Sequence, residues 1–306
     1  MSAAVDLPVA YDTCLAIARG HYENFPVASR LVPARLRPHV AAVYAFARTA
    51  DDFADEDGHS TRERLRLLDG WLDALHRSLG AGEPLGADLG PRATAIFTAL
   101  ADTIRVFDLP VALLEALISA FRQDVTVTRY ATWAEVDDYC RRSANPVGRL
   151  VLRLFGHRDE RLDRWSDAIC TALQLTNFWQ DFAVDWTRGR LYVPETEWRA
   201  AGATLESLAP PLSAAPREWQ RVLAACATRT RGLFDHGRPL LDHVGGRLRW
   251  ELRATWHGGT RVLERLEQCG FDPVAARPRL GPADALVVGW RTLAARGGSP
   301  GEHRDR

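Results

Sequence analysis

The 306-residue sequence predicts an all-α fold on three observations. Nearly every long segment repeats its apolar residues with the helical period rather than the strand period. No alternating run bounded by hairpin-type turns is present. No linker divides the chain into separately cored halves, so residues 1–295 are expected to form one helical domain, with 296–306 a disordered tail. A 46% hydrophobic composition is enough for a sizeable core. In chain order, helices are expected over 10–20, 35–57, 61–79 and 92–107, the last two parted by the Gly- and Pro-containing stretch 80–91. Asp108-Leu109-Pro110 ends the fourth helix and admits the next, over 111–129. Helices over 133–155 and 159–186 follow. Pro210, Pro211 and Pro216 then mark a loop at 209–216, before helices at 217–241, 247–270 and 282–295.

Charge and cysteine narrow the function classes. The chain balances 39 basic against 39 acidic residues, which gives no reason to expect nucleic acid as a partner. Every basic residue is arginine and none is lysine. That excludes a Schiff-base lysine, a P-loop lysine and a lysine general base, and leaves arginine, backbone amides or a metal to hold any phosphate. The five cysteines, Cys14, Cys140, Cys170, Cys226 and Cys269, are dispersed and odd in number. They argue against a disulfide framework or a zinc site and for a reducing cytoplasm. The first ten residues carry Asp6 and lack the basic and apolar regions of a secretory signal. The longest uncharged run, 168–180, is well short of the ~20 residues a spanning helix needs. A soluble protein is expected, free to touch a membrane surface.

Two acidic clusters carry the chemistry. The first, in YAFARTADDFADED, places Asp51, Asp52, Asp55, Glu56 and Asp57 within two helical turns. Asp51 and Asp55 fall one turn apart on one face and repel each other unless a cation lies between them. Mg²⁺, which takes carboxylate and phosphate oxygens together, suits that place. A solvated acidic helix end is the bland alternative. Against it, Tyr44, Ala45, Phe46 and Ala47 are apolar on nearly all faces, so the helix is expected to be buried up to the cluster.

The second cluster is Asn177, Asp181 and Asp185, at successive i+4 spacings among Phe178, Trp179, Phe182, Ala183 and Val184. These polar groups line one stripe of an otherwise apolar helix, where unpaired charge is costly. Arg188 and Arg190 follow directly, and guanidinium groups suit phosphate. The two clusters are expected to face each other across a cavity and to hold two or three Mg²⁺ ions around a diphosphate.

On these residues the chain resembles the squalene/phytoene synthase family, the head-to-head trans-isoprenyl diphosphate synthases. Arg48, Asp51, Asp52 and Asp55 match that family's RxxDDxxD; Asn177, Asp181 and Asp185 match its NxxxDxxxD. Gln174 precedes the second motif, and Arg190, Tyr192 and Pro194 follow it in order. The intervening landmarks Asp124, Arg129, Tyr130, Tyr139-Cys140 and Pro146-Val147-Gly148 also fit, and the resemblance runs from about 21 to 272. HYENFPVASRLVP (21–33), SANPVGRL (143–150), WQDFAVDW (179–186) and ELRATWHGG (251–259) are similar to one branch, the hydroxysqualene synthases of bacterial hopanoid biosynthesis. Ala144-Asn145-Pro146-Val147-Gly148 replaces the AGTVG usual elsewhere in the family. Gln180 replaces an arginine common before the second motif's first Asp.

The resemblance implies an isoprenoid-synthase-type helical bundle around a central cavity. It also implies conversion of presqualene diphosphate and water to hydroxysqualene and diphosphate, without NADPH. Asp51, Asp55, Asn177, Asp181 and Asp185 would hold Mg²⁺, with Asp52 supporting them. Arg48 and Arg190 would bind diphosphate. His21, Phe25, Tyr44, Gln174 and Phe178 would line the substrate, Phe182 and 256–259 would shape the pocket, and Tyr139 would sit beside the reacting carbon chain. Asn145-Pro146 interrupts a helix, and the freed groups there are expected to face substrate or water. Pathway enzymes that make presqualene diphosphate and consume hydroxysqualene are implied partners, with peripheral contact at the inner membrane face. The alternatives are condensation of two farnesyl diphosphates with the same metal residues, and a non-catalytic scaffold, against which the intact acidic positions weigh.

Overall fold

A computed structural model describes residues 6–20, 31–55, 58–80 and 89–294. Among these residues the protein is built of helices; the sole β-type pairing is an isolated parallel bridge between Arg129 and Leu191. The sequence-based expectations for His21, Phe25, Glu56, Asp57 and the tail 296–306 lie outside the described residues. In the N-terminal half, α1 (Leu7–Gly20), α2 (Arg37–Asp55), α3 (Thr61–Leu79), α4 (Gly90–Phe107) and α5 (Val111–Asp124) pack together. α2 is the central element there: Val40, Ala41, Ala42, Ala45, Phe46, Ala50 and Ala54 are buried along it, so small residues let α1, α4 and α5 approach closely. α3 starts with a capping box in which Ser60 and Glu63 satisfy each other's backbone N–H. α4 ends at Asp108 in the left-handed conformation, just before Pro110.

The second half comprises α6 (Trp133–Ser143), α7 (Asn145–Leu154), α8 (Glu160–Gln180), α9 (Phe182–Thr187), α10 (Glu195–Ala200), α11 (Arg217–Gly237), α12 (Leu240–His243), α13 (Gly246–Gln268) and α14 (Pro282–Ala294). α8 is its axis, packed on α6, α7, α11 and α13. The contacts with α7 and α11 require glycine. A Cβ at Gly148 would fall on Ser166 Oγ and Cys170 Sγ, and one at Gly237 on Ile169 and the Trp165 carbonyl oxygen. α7 joins the halves: Leu150 and Leu154 enter the N-terminal core while Leu152 enters the C-terminal one.

Three expected helices are broken, two of them at a proline. The segment 133–155 divides at Ala144, because Pro146 lacks the N–H that would continue α6 into α7. The segment 217–241 divides at Arg238-Pro239 for the same reason. The segment 159–186 divides at Asp181, whose φ of −99° and ψ of 9° leave the helical region. The break is shallow, since Asp181 N–H still bonds to Asn177 O at 2.8 Å and Asp185 N–H to Asp181 O at 2.8 Å. The expected helix 111–129 ends at Asp124, and 126–131 runs instead beside 189–196 through Leu191 N–H to Thr128 O (3.0 Å) and Glu195 N–H to Tyr130 O (2.9 Å). That pairing brings Arg190 and Tyr192 back over the bundle. α10 falls outside the helices expected from the sequence.

Candidate active site

The C-terminal turns of α2 carry the first motif. Ala45 and Phe46 are fully buried and Tyr44 and Ala47 half-buried, so the helix is covered up to its carboxylates, as its sequence suggested. Arg48 bonds to Asp51 Oδ2 at 3.0 Å and pairs with Asp52 Oδ1 at 2.5 Å, reaching both along its own helix. Asp55 accepts from Arg190 Nη2 at 2.9 Å. This contact ties the end of α2 to the segment after α9 and places the two motifs side by side.

Electrostatics show the same convergence. Burial, then repulsion from Asp55, pushes the Asp51 carboxyl up to about 6 against the pull of Arg48. Asp185 is pushed up to about 6 by burial, then by Asp181, with Asp55 adding to it and Arg190 opposing. Asp124, at the end of α5, rises to about 7, chiefly from burial; Tyr139 and Arg190 oppose the rise, while Asp55 and Asp51 reinforce it. Arg190 is held firmly in its charged form by Asp55, although burial opposes that. Asp55 therefore acts on carboxylates from three helices at once.

Behind the carboxylates stands an aromatic wall. Phe178 stacks on Tyr192 at 3.7 Å between ring centroids and 3° between planes. Tyr139 lies 6.0 Å from Phe178 and 6.2 Å from Tyr192, and Tyr130 closes the group at 5.8 Å from both tyrosines. Tyr139 OH donates to Asp124 Oδ2 at 3.0 Å. Four buried side-chain polar atoms lack a hydrogen-bond partner among the described residues, and Arg48 Nε and Asp124 Oδ1 are two of them. An unpaired donor and an unpaired acceptor are costly in a closed protein, so both suit a site that receives a charged ligand. A cavity of about 560 Å³ opens beside the first motif, lined by Arg48, Asp52 and Asp55 of α2, Trp71 of α3, and Arg92 of α4.

On the second motif, Asn177 is exposed and Gln174 half-buried on α8, and Phe182 is buried against Trp219. Asp181 is gripped by Arg277, whose Nε lies 2.7 Å and Nη2 2.6 Å from Oδ1. Gln180 Nε2 donates to Pro278 O at 2.6 Å, anchoring the same segment. The cation facing Asp181 thus comes from beyond α13, while Gln180 holds the backbone that delivers it. Nothing near Arg277 in the sequence announces this. It lies in the stretch Arg277-Pro278-Arg279, 96 residues from Asp181. Asn145 turns inward, accepting from Thr171 Oγ1 at 2.9 Å, so its side chain joins α7 to α8 across the break.

The donors Asp51, Asp55, Asp181, Asp185 and Asn177 all offer hard oxygens, a set that fits Mg²⁺. Among the described residues no three acidic groups are yet drawn together into a cation cage. Arg190 and Arg277 hold Asp55 and Asp181 instead.

Known proteins share this sequence pattern and fold. A sequence profile of the squalene/phytoene synthase family matches residues 18–284. A hydroxysqualene synthase of Rhodopseudomonas palustris is 36% identical over 280 residues, 89% of this chain and 88% of its own length. One of Zymomonas mobilis is 35% identical over 289 residues, 92% of this chain and 91% of its own. Among solved structures, the squalene synthase HpnC of Alicyclobacillus acidocaldarius superposes with a TM-score of 0.77 at 39% identity, covering 87% of this chain and 96% of that one.

Proposed function

The chain belongs to the squalene/phytoene synthase family, and we infer that within it the protein works as a hydroxysqualene synthase, converting presqualene diphosphate and water to hydroxysqualene and diphosphate. The observation that carries this reading is the contact of Asp55 with Arg190 at 2.9 Å, which joins the two acidic motifs into one polar site beside an aromatic wall. Such a site handles a substrate with an anionic head and a carbon skeleton that becomes cationic.

The reaction begins with heterolysis of the bond between carbon and the diphosphate oxygen. Arg48, with its unpaired Nε, and Arg190 receive the charge growing on the departing diphosphate. Asp51, Asp55, Asn177, Asp181 and Asp185 would hold two or three Mg²⁺ ions, which supply Lewis acidity toward the leaving group. Phe178, Tyr139, Tyr130 and Tyr192 would border the carbocation and exclude bulk water from it, and each aromatic face turned toward the cation would be worth ~0.5–2 kcal/mol. Tyr139, fixed by Asp124, orients a single water; its oxygen bonds to carbon and its proton passes to the diphosphate. Tyr44 and Gln174 would contact the substrate from α2 and α8, and His21 and Phe25 from the segment before residue 31. We take residues 1–295 as one catalytic unit, since α7 enters both cores.

No helix among the described residues is long and apolar enough to cross a membrane. We place the enzyme in the cytoplasm, exchanging its lipid substrate and product with the enzymes before and after it.

The 39% identity to a protein named a squalene synthase favours one second reading, formation of squalene from farnesyl diphosphate. Separate incubations with presqualene diphosphate and with farnesyl diphosphate, with Mg²⁺ and with NADPH supplied as hydride donor, decide between them, because squalene forms from the carbocation only by reduction. Hydroxysqualene from the first alone supports the assignment; squalene from either contradicts it.

A further inference from the structure

α14 is an inside-out amphipathic helix. Its polar residues face the protein: Asp284 is 1% exposed and accepts from Arg261 Nε at 2.7 Å, Arg265 Nη2 at 2.9 Å and Gly281 N–H at 2.9 Å. Thr292 is buried, and Arg291 pairs with Glu264 of α13 at 2.5 Å. Every exposed residue of the helix is apolar or glycine: Pro282, Ala283, Ala285, Leu286, Gly289, Trp290, Leu293 and Ala294. Leu286, Trp290 and Leu293 are 77%, 73% and 69% exposed, on one face at i, i+4 and i+7, and Leu280 extends the row at 44%. An isolated exposed leucine needs no account, whereas a whole outward face without a charge does.

We propose that this face docks on the interface of an anionic lipid bilayer. The charge around it is complementary to such a surface. From 277 to 296 the sequence carries Arg277, Arg279, Arg291 and Arg296 against Asp284 alone; Asp284 is enclosed by arginine, and with Arg277 and Arg291 paired to Asp181 and Glu264, Arg279 is the cation left to face a lipid surface among the described residues of this stretch. Arg279 is exposed beside Leu280 and makes no ion pair among the described residues, so it meets headgroup phosphate as the leucines and Trp290 enter the acyl boundary. Tryptophan at such a boundary keeps its indole N–H among the headgroups. The following sequence, 295–306 (ARGGSPGEHRDR), offers no large apolar side chain to match the face. A second copy fits poorly, since one helical row is far smaller than the roughly 800 Å² a side of a stable protein pair. α14 begins just after the segment that brings Arg277 to Asp181, so docking there sets the polar site next to the lipid surface. The proposal does not depend on the reaction assigned above.

The test is sedimentation of the full chain with vesicles of phosphatidylglycerol and phosphatidylcholine, and with vesicles of phosphatidylcholine alone, without substrate. The wild type is expected to bind the anionic vesicles and to bind the neutral ones more weakly. The double variant Leu286→Gln/Trp290→Gln loses about ten-fold or more of the partitioning, with an unchanged melting temperature. Leu293→Ser gives a smaller loss, and Arg279→Glu weakens binding to anionic vesicles only. Absence of wild-type binding, or equal binding by the double variant, overturns the proposal. So does a wild-type dimer in analytical ultracentrifugation that the double variant dissolves. Turnover of detergent-dispersed substrate should be the same in all variants, and failure to make product leaves the vesicle measurement intact.

Discussion

Asp55 and Arg190 stand 135 positions apart in the chain and meet at 2.9 Å. Their pairing turns two separate helical motifs into one site, and it also sets the resting charge there. Removing Arg190 leaves Asp55 among carboxylates without its cation, and removing Asp55 leaves the largely buried Arg190 without its partner. Arg190→Gln and Asp55→Asn are each expected to lower kcat/KM by about 10²–10³. The double variant is expected to lose much less than the product of the two, because the residues share one interaction. A loss smaller than ~3-fold in Arg190→Gln, with normal circular dichroism, would count against the role of this pair.

Arg277 occupies Asp181 Oδ1 at 2.6–2.7 Å and so competes with any cation for that oxygen. Arg277→Gln should lower the Mg²⁺ concentration that half-saturates the enzyme by about two- to five-fold, corresponding to the ~0.5–1 kcal/mol of a partly exposed pair. Gln180→Ala, which only releases the Pro278 carbonyl, should shift it less. An unchanged Mg²⁺ requirement in Arg277→Gln contradicts the competition.

Asp124 predicts a pH dependence of stability. Its carboxyl is raised from 3.8 to about 7 in the folded protein, chiefly by burial. A raised value means the protonated form favours the fold. The stabilisation is complete below the unfolded value and is lost as pH rises through about 7. Asp124→Asn keeps the uncharged shape. In EDTA it should exceed the wild type in stability by an amount that grows from pH 4 to pH 7 and then levels off, on the order of 2–4 kcal/mol. Urea unfolding at several pH values measures this; a constant difference contradicts it.

Gly237 predicts a packing defect remote from the site. An alanine Cβ there meets the Trp165 carbonyl oxygen, which is backbone and has no rotamer to change. Gly237→Ala should cost about 1–3 kcal/mol by separating α11 from α8. Thermal melting at fixed Mg²⁺ checks it, and a melting point at or above the wild type's would show that the helices tolerate the extra methyl.

The legible parts of this protein are those whose cause is local. Helical period, Pro110, and the spacing of Asp51 with Asp55 and of Asp181 with Asp185 follow from neighbouring residues, and the structure keeps them. The interruption at Asn145-Pro146 was legible, since proline removes a donor wherever it stands; the burial of Asn145 against Thr171 was not, because its partner lies on another helix. The break at Asp181 carries no proline or glycine to mark it. Arg277 is the clearest case: its role depends on a loop folding back across the bundle, which no spacing in the sequence encodes. Tyr192 showed itself only as part of a pattern, and its stacking on Phe178 exists because 189–196 pairs with 126–131.

The central claim is that a carbocation formed by loss of diphosphate is captured by water. Incubation of presqualene diphosphate with the protein, Mg²⁺ and NADPH in ¹⁸O-labelled water tests it most directly by mass spectrometry of the product, since a hydride donor then competes with water for the carbocation. Hydroxysqualene carrying the ¹⁸O label at its hydroxyl is the predicted result. Squalene, or hydroxysqualene with unlabelled oxygen, would contradict the account.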